Sequence, residues 1–243
     1  MAIEAVSIII HTGYVLLSQI KSDRNKSVYV LTNFNSLQNA NGGKMILEDL
    51  YNCDKKYGII YTDPPWPQSK SNKRKCRPNQ GKELDYPTMS FDGIKQIHKI
   101  FLDGNAASQH DVFMWTIDKF LPQAENMMRD LGYTLHARLI WDKCNGIAPA
   151  FTVRFAHEYL LWFYKKGQIL MPIQDLRGKY TTVLREPSTK HSKKPLCAYQ
   201  MIENMFPKSR KIELFARDQR DGWDSWGNEL KILEEKTNER NFV

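Results

Sequence analysis

The chain has no cysteine pattern of the kind that staples a small fold or builds a metal module. Its 243 residues hold four cysteines, Cys53, Cys76, Cys144 and Cys197, all far apart. None forms a C-x-x-C pair, so a disulfide framework and a zinc finger are both excluded, and no metal site is expected. Such usage suits a reducing compartment, and a cytoplasmic location is the expectation. Long apolar runs are also missing. The segment from Val6 to Leu17 is apolar but is broken by His11, Thr12 and Gly13, and no basic residue precedes it. It reads as neither a membrane span nor a signal peptide. There is no internal repeat and no G-x-G-x-x-G, so the dinucleotide-type fingerprint is absent.

What remains is an ordinary globular composition, 42% hydrophobic and 26% charged, in a chain long enough for one large domain or two small ones. A body of this size buries roughly 70–75% of its unfolded surface. The net charge of +8 is unevenly placed. Lys70, Lys73, Arg74, Lys75, Arg77 and Lys82 fall in one polar stretch without an acid. A basic loop of this kind is what a polyanion meets first, and nucleic acid is the expected partner.

From about residue 44 the pattern alternates strands with helices. Tyr57 to Thr62 is a continuous apolar run, predicted as a strand buried on both faces. Ser90 precedes Ile94, Ile97 and Phe101 at helical spacing. Val112 to Trp115 reads as a second buried strand. Asp118 is placed to cap a helix lined by Leu121, Ala124, Met128 and Leu131 and ended by Gly132. Thr134–Trp141, Glu158–Tyr164 and Ile212–Phe215 read as further strands, and Pro195 opens a helix carrying Leu196, Tyr199, Ile202 and Phe206. Alternation of this kind predicts an α/β sheet with helices on both faces. Residues 1–42, which include a candidate strand at Ser27–Leu31 and a turn at Asn39–Gly43, form an N-terminal segment of uncertain role. The main domain is expected over 43–235, with a tail at 236–243.

The most informative residues are Asp63-Pro64-Pro65-Trp66, directly after the strand at 57–62. An acid at a strand's carboxyl end lies where open α/β sheets hold their ligands. Two prolines remove two N–H donors. On this reading the Pro64 carbonyl faces outward without a donor, and the Trp66 indole offers a stacking face. Two acceptors and an aromatic surface make a socket for a flat ring bearing an amino group, as adenine is.

These residues and others in order resemble the MT-A family of S-adenosylmethionine-dependent adenine-N(6) methyltransferases, the DPPW class. The segments are Thr62–Trp66, Tyr86–Ser90, Phe113–Trp115, His157-Glu158, His191–Pro195, Lys211–Arg217 and Gly222–Glu229. The resemblance implies a Rossmann-like methyltransferase sheet in which the catalytic motif precedes the main cofactor motif. It implies that Asp63, Lys194, Phe215, Arg217, Asn228 and Glu229 contact S-adenosylmethionine, with Ile46 and Leu47 against its adenine. Tyr86 would border the target base. His157 and Glu158 are read as structural, through buried hydrogen bonds. The implied reaction is methyl transfer to the amino group of adenine, with Asp63 and Pro64 as acceptors and Trp66 stacked on the base. Compactness favours a bacterial or phage type acting on DNA over one acting on RNA. A homodimer, or a non-catalytic role as a nucleic-acid-binding partner subunit, stays open, and sequence choice would come from loops at 67–85, 143–155 and 171–190.

Overall fold

The structure is a computed structural model that describes residues 9–11, 14–16, 54–67, 88–144, 153, 155–189 and 193–227. The chain divides into two units, Met1–Met45 and Ile46–Val243. In the first, β1 (Ile9–His11) pairs antiparallel with β2 (Tyr14–Leu16), Ile10 opposite Val15. Only Thr12-Gly13 separates these strands, a hairpin spacing inside the run that the sequence showed merely as interrupted. The expected strand at 27–31 and turn at 39–43 lie outside the described residues.

The second unit is built on seven strands. They are β3 (Tyr57–Thr62), β4 (Ala106–Thr116), β5 (Thr134–Asp142), β6 (His157–Tyr164), β7 (Val183–Arg185), β8 (Lys211–Leu214) and β9 (Trp223–Trp226). Their spatial order is β7-β5-β6-β4-β3-β8-β9. β3 is parallel to both β4 and β8, and every one of its residues is buried, as its unbroken apolar run requires. β6 alone is reversed, antiparallel to β4 and β5. β4 extends beyond the apolar run at both ends. Its first residues, Ala106 to Gln109, are polar or small and half-buried or exposed, which hid them from a reading by hydrophobicity.

Three α-helices lie among the described residues, α1 (Phe91–Asn105), α2 (Leu121–Asp130) and α3 (Leu196–Met205). Ser90 caps α1 by accepting the Gly93 N–H at 3.1 Å, and Ile94, Ile97 and Phe101 are buried. Asp118 caps nothing. It lies inside a short 3-10 turn, Asp118–Phe120, that leads into α2 without a side-chain cap. Gly132 ends α2 at φ 86°, a conformation that costs glycine least. Successive strand residues face opposite ways. Ile59, Tyr61, Phe113 and Trp115 pack with Ala198, Met201 and Ile202 of α3. Thr62 bonds His98 of α1 at 3.0 Å, on the opposite face. Helices therefore cover both faces, in the α/β Rossmann-like manner. No helix among the described residues is long and apolar enough to cross a membrane.

Candidate active site

The candidate side chains gather at one end of the sheet because of strand direction. β3, β4 and β8 end there, and β6, being reversed, begins there: Thr116 at the end of β4 pairs with Tyr159. Asp63 follows β3, Phe215 follows β8, and Glu158 is the second residue of β6. The Asp63 N–H reaches the Leu214 carbonyl at 3.4 Å, so Asp63 and Phe215 leave the sheet side by side.

Lys194, just before α3, is the hub. Its Nζ lies 3.1 Å from Asp63 Oδ1 and 2.8 Å from Glu158 Oε2, and 5.1 Å above the Trp115 ring. The other Glu158 oxygen takes Lys143 at 2.6 Å. Lys194 keeps only 9% of its side chain exposed, Glu158 13% and Asp63 16%. Burial opposes the charge on Lys194, but Asp63 and Glu158 outweigh it and lift its ammonium above the ordinary lysine range. Burial also opposes the charge on Glu158, yet Lys194 and Lys143 hold its carboxyl down to about 2. Asp63 differs. Burial pushes its carboxyl up, the negative Glu158 adds to this, and Lys194 and Arg217 offset only part. Two carboxylates thus share one cation, and Asp63 is the more basic of them.

Phe215 adopts φ 61°, in the left-handed region that a side chain enters only where its surroundings demand it. Its ring lies 5.8 Å from His98 and 5.6 Å from Trp226. Burial brings the His98 imidazole down to about 4, so it is neutral at pH 7. The next residue, Ala216, donates its N–H to Trp226 at 3.0 Å. A Cβ on Gly227 would stand 2.1 Å from the Ala216 carbonyl oxygen. Only glycine lets these two segments touch.

Two expectations for the Asp63–Trp66 segment need correction. The Pro64 carbonyl is not without a donor: it accepts the Trp66 N–H at 2.8 Å, closing a tight turn. The Trp66 indole is not a free stacking face. It is 5% exposed, lies 6.0 Å from Phe120 in a stacked arrangement and 5.8 Å from Phe91, and donates its Nε1–H to Trp115 O at 3.0 Å. The sequence shows an indole beside an acid but cannot show that two phenyl rings enclose it. Pro65 carries a further tie, its carbonyl accepting the Met89 N–H at 2.8 Å.

Asp63, Lys194, Phe215 and Arg217 are therefore neighbours in the fold. Ile46, Leu47, Tyr86, Asn228, Glu229 and the basic residues Lys70, Lys73, Arg74, Lys75, Arg77 and Lys82 lie outside the described residues. Glu158 does more than the sequence reading gave it, since it holds Lys194. Its signal was a lone acid opening an otherwise apolar strand, Tyr159–Phe163. Lys143 and Gly227 were not singled out. Lys143 is the first cation past β5, and Gly227 is the residue after β9. Among the described residues no three His, Cys, Asp or Glu gather as metal ligands.

Residues 57–229 match the MT-A70 family, and the chain belongs to it. It is 31% identical over 192 residues to the type II methyltransferase M.MunI of Mycoplasma sp, covering 72% of this chain and 78% of that protein. It is 28% identical over 183 residues to a Medicago truncatula protein named as a putative N(6)-adenosine-methyltransferase MT-A70-like, covering 72% of this chain and 26% of the relative. It is 26% identical over 200 residues to the human N(6)-adenine-specific methyltransferase METTL4, covering 76% and 39%. The chain thus spans most of the bacterial relative and a minor part of the two eukaryotic ones.

Proposed function

We propose that this protein binds S-adenosylmethionine and transfers its methyl group to the exocyclic amino nitrogen of adenine in nucleic acid. The observation that carries the reading is Asp63, held at the end of β3 by Lys194 next to the left-handed turn at Phe215. The residues suit the cofactor's charges. Lys194 has three N–H donors and uses two on Asp63 and Glu158, which leaves one for a ligand carboxylate. Asp63 offers negative charge beside it. Arg217, Asn228 and Glu229 follow in the chain as polar partners for the rest of the ligand.

The cofactor supplies an electrophilic methyl group. Asp63 accepts an N–H of the adenine amino group, which draws the nitrogen's lone pair out of the ring. It also stabilises the positive charge that grows there during transfer. Its carboxyl, made more basic by burial, then takes the released proton. Lys194 keeps Asp63 in place and ionised until that moment. The Pro64 carbonyl spends one lone pair on the Trp66 N–H and has a second for the other N–H of the amino group.

DNA is the favoured substrate. The likeness to M.MunI, higher in identity than to the two eukaryotic relatives named above, supports this, and the basic stretch at 70–82 fits either polyanion. Incubation with labelled cofactor and matched duplex DNA, single-stranded DNA and RNA, followed by digestion, tests it. The expected product is 6-methyladenine in DNA; label in RNA alone would reassign the substrate. A chain that binds no cofactor in calorimetry would instead be a partner subunit. Sedimentation of the same sample reads whether it works as a homodimer.

A further inference from the structure

Lys143 adds a fourth charge to the cluster around Lys194. Its main chain is fixed on both sides: its N–H reaches the Ala156 carbonyl at 2.9 Å, and its own carbonyl accepts the Ser188 N–H at 3.3 Å. Its Nζ stands 5.1 Å from the centre of the Trp141 ring and 2.6 Å from Glu158 Oε1. Lys194 Nζ stands 5.1 Å from the centre of the Trp115 ring and 2.8 Å from Glu158 Oε2. The two indoles meet edge-on at 5.9 Å. Two ammonium groups thus rest on two adjoining tryptophans, and Glu158 bridges them with one oxygen each. Lys194 then reaches Asp63 at 3.1 Å. The result is a row of alternating sign: Lys143, Glu158, Lys194, Asp63.

We propose that Lys143 is a positioning residue for methyl transfer: by neutralising Glu158 it leaves Lys194 free to hold Asp63 as an ionised acceptor for the substrate amine. The inference rests on the function proposed above. Lys143 acts through Glu158 and Lys194, not on the reacting atoms. With it, two cations face two carboxylates. Without it, Asp63 and Glu158 compete for Lys194 alone, and a buried carboxylate deprived of its cation takes up a proton. Asp63 does so first. Burial already pushes its carboxyl up, whereas the Glu158 carboxyl starts from about 2. A protonated Asp63 can neither offset the positive charge growing on the amine nor receive its proton.

The charged and titratable groups facing Asp63 are Lys194 before α3, Tyr199 on α3, Glu158 on β6, Glu213 on β8 and Arg217 beyond β8. Lys194 and Arg217 favour its ionised form, and Glu158 opposes it. Glu213 is 8% exposed and accepts the Tyr199 hydroxyl at 3.0 Å. Glu158 is faced by Lys194 and Lys143. Lys143 therefore supplies the charge that keeps Glu158 from drawing Lys194 away from Asp63.

Two measurements test this. Carbon-13 NMR of protein labelled at the aspartate carboxyl follows Asp63 through pH without any turnover, its signal identified by its absence in Asp63→Asn. In Lys143→Met the midpoint should rise by roughly one pH unit. Lys143→Arg keeps the cation and should restore the wild-type midpoint. Adding Glu158→Gln to Lys143→Met should bring the midpoint back down, because the uncompensated carboxylate is then gone; a structural lesion would not be repaired in this way. At saturating cofactor and nucleic acid the rate should fall on the acid side with the same midpoint. Lys143→Met should therefore be about tenfold slower than wild type below that midpoint and equal to it above. Should Lys143→Met fail to fold, Lys143→Gln is read in the same way. An Asp63 midpoint unmoved by loss of Lys143, or one that Glu158→Gln leaves raised, overturns the proposal, as does a rate lost equally at every pH. A wild-type protein that methylates no nucleic acid overturns the functional reading and the part of Lys143 in it, while the carboxyl titration still reads the charge coupling by itself.

Discussion

The indole N–H of Trp66 bonds the main-chain oxygen of Trp115 at 3.0 Å, tying the turn after β3 to the end of β4. The bond explains why a tryptophan stands three residues beyond the acid: it clamps the turn that aims Asp63. Trp66→Ala should therefore destabilise the fold by about 3–5 kcal/mol, as other large buried aromatics do. Trp66→Phe keeps the packing with Phe91 and Phe120 but strands the Trp115 carbonyl, and should lose about 1–3 kcal/mol. Urea denaturation reads both. Loss of turnover in Trp66→Ala with unchanged stability would restore a direct role for the ring at the base.

Asp63→Ala should abolish methyl transfer, while cofactor binding in calorimetry persists through Lys194. Asp63→Asn, which keeps the shape but neither the charge nor the basicity, should be nearly as inactive. Turnover retained in a tritiated-methyl assay would remove Asp63 from the mechanism.

Lys194→Met leaves Asp63 and Glu158 buried without the cation they share. The stability loss should be on the order of 3 kcal/mol, since breaking a buried pair strands a charge. Adding Glu158→Gln to Lys194→Met should recover part of it. Thermal unfolding of the single and double variants measures the recovery, and strict additivity would mean that Lys194 and Glu158 are not coupled.

Asp111 gives the fold a pH dependence. It is fully buried on β4, where it accepts the Trp162 indole N–H at 2.9 Å and the Leu170 N–H at 3.2 Å. Burial nonetheless pushes its carboxyl up to about 7. The folded state thus holds the proton more tightly than the unfolded chain. That stabilisation is complete below the unfolded value of 3.8 and is lost as pH rises through about 7. Glu213 acts with the same sign. Glu158 acts with the opposite one: its contribution is present above 4.5 and is lost as pH falls through about 2. Urea midpoints should therefore drop between about pH 5 and pH 8 and drop again in strong acid. Asp111→Asn should flatten the first drop, and an unchanged slope would refute the assignment.

Gly227→Ala should be strongly destabilising although it adds one methyl group. The new Cβ would collide with main chain at Ala216, which cannot swing aside as a side chain could. Cofactor binding should weaken along with the melting temperature, because the same displacement disturbs the turn at Phe215.

The limits of β3 and the start of α1 were legible because their signals are local: an unbroken apolar run, and a serine before helical spacing. The meeting of Asp63 with Lys194 was legible only through the order of motifs, since 131 residues separate the two and no periodicity links them. Glu158 was underrated because its function comes from the reversal of β6, and strand direction is not written in a strand's own residues. Trp66 was misread for a related reason. Its enclosing rings, Phe91 and Phe120, lie 25 and 54 residues away, and nothing near the motif marks them as neighbours.

The backward course of β6 has an architectural consequence. Because β5 finishes and β6 starts at the same rim, Asp142 and His157 stand opposite each other at the end of the sheet that carries Asp63. If the residues joining them set the choice of target, exchanging that passage should alter which sequences are methylated while leaving every rung between β5 and β6 intact.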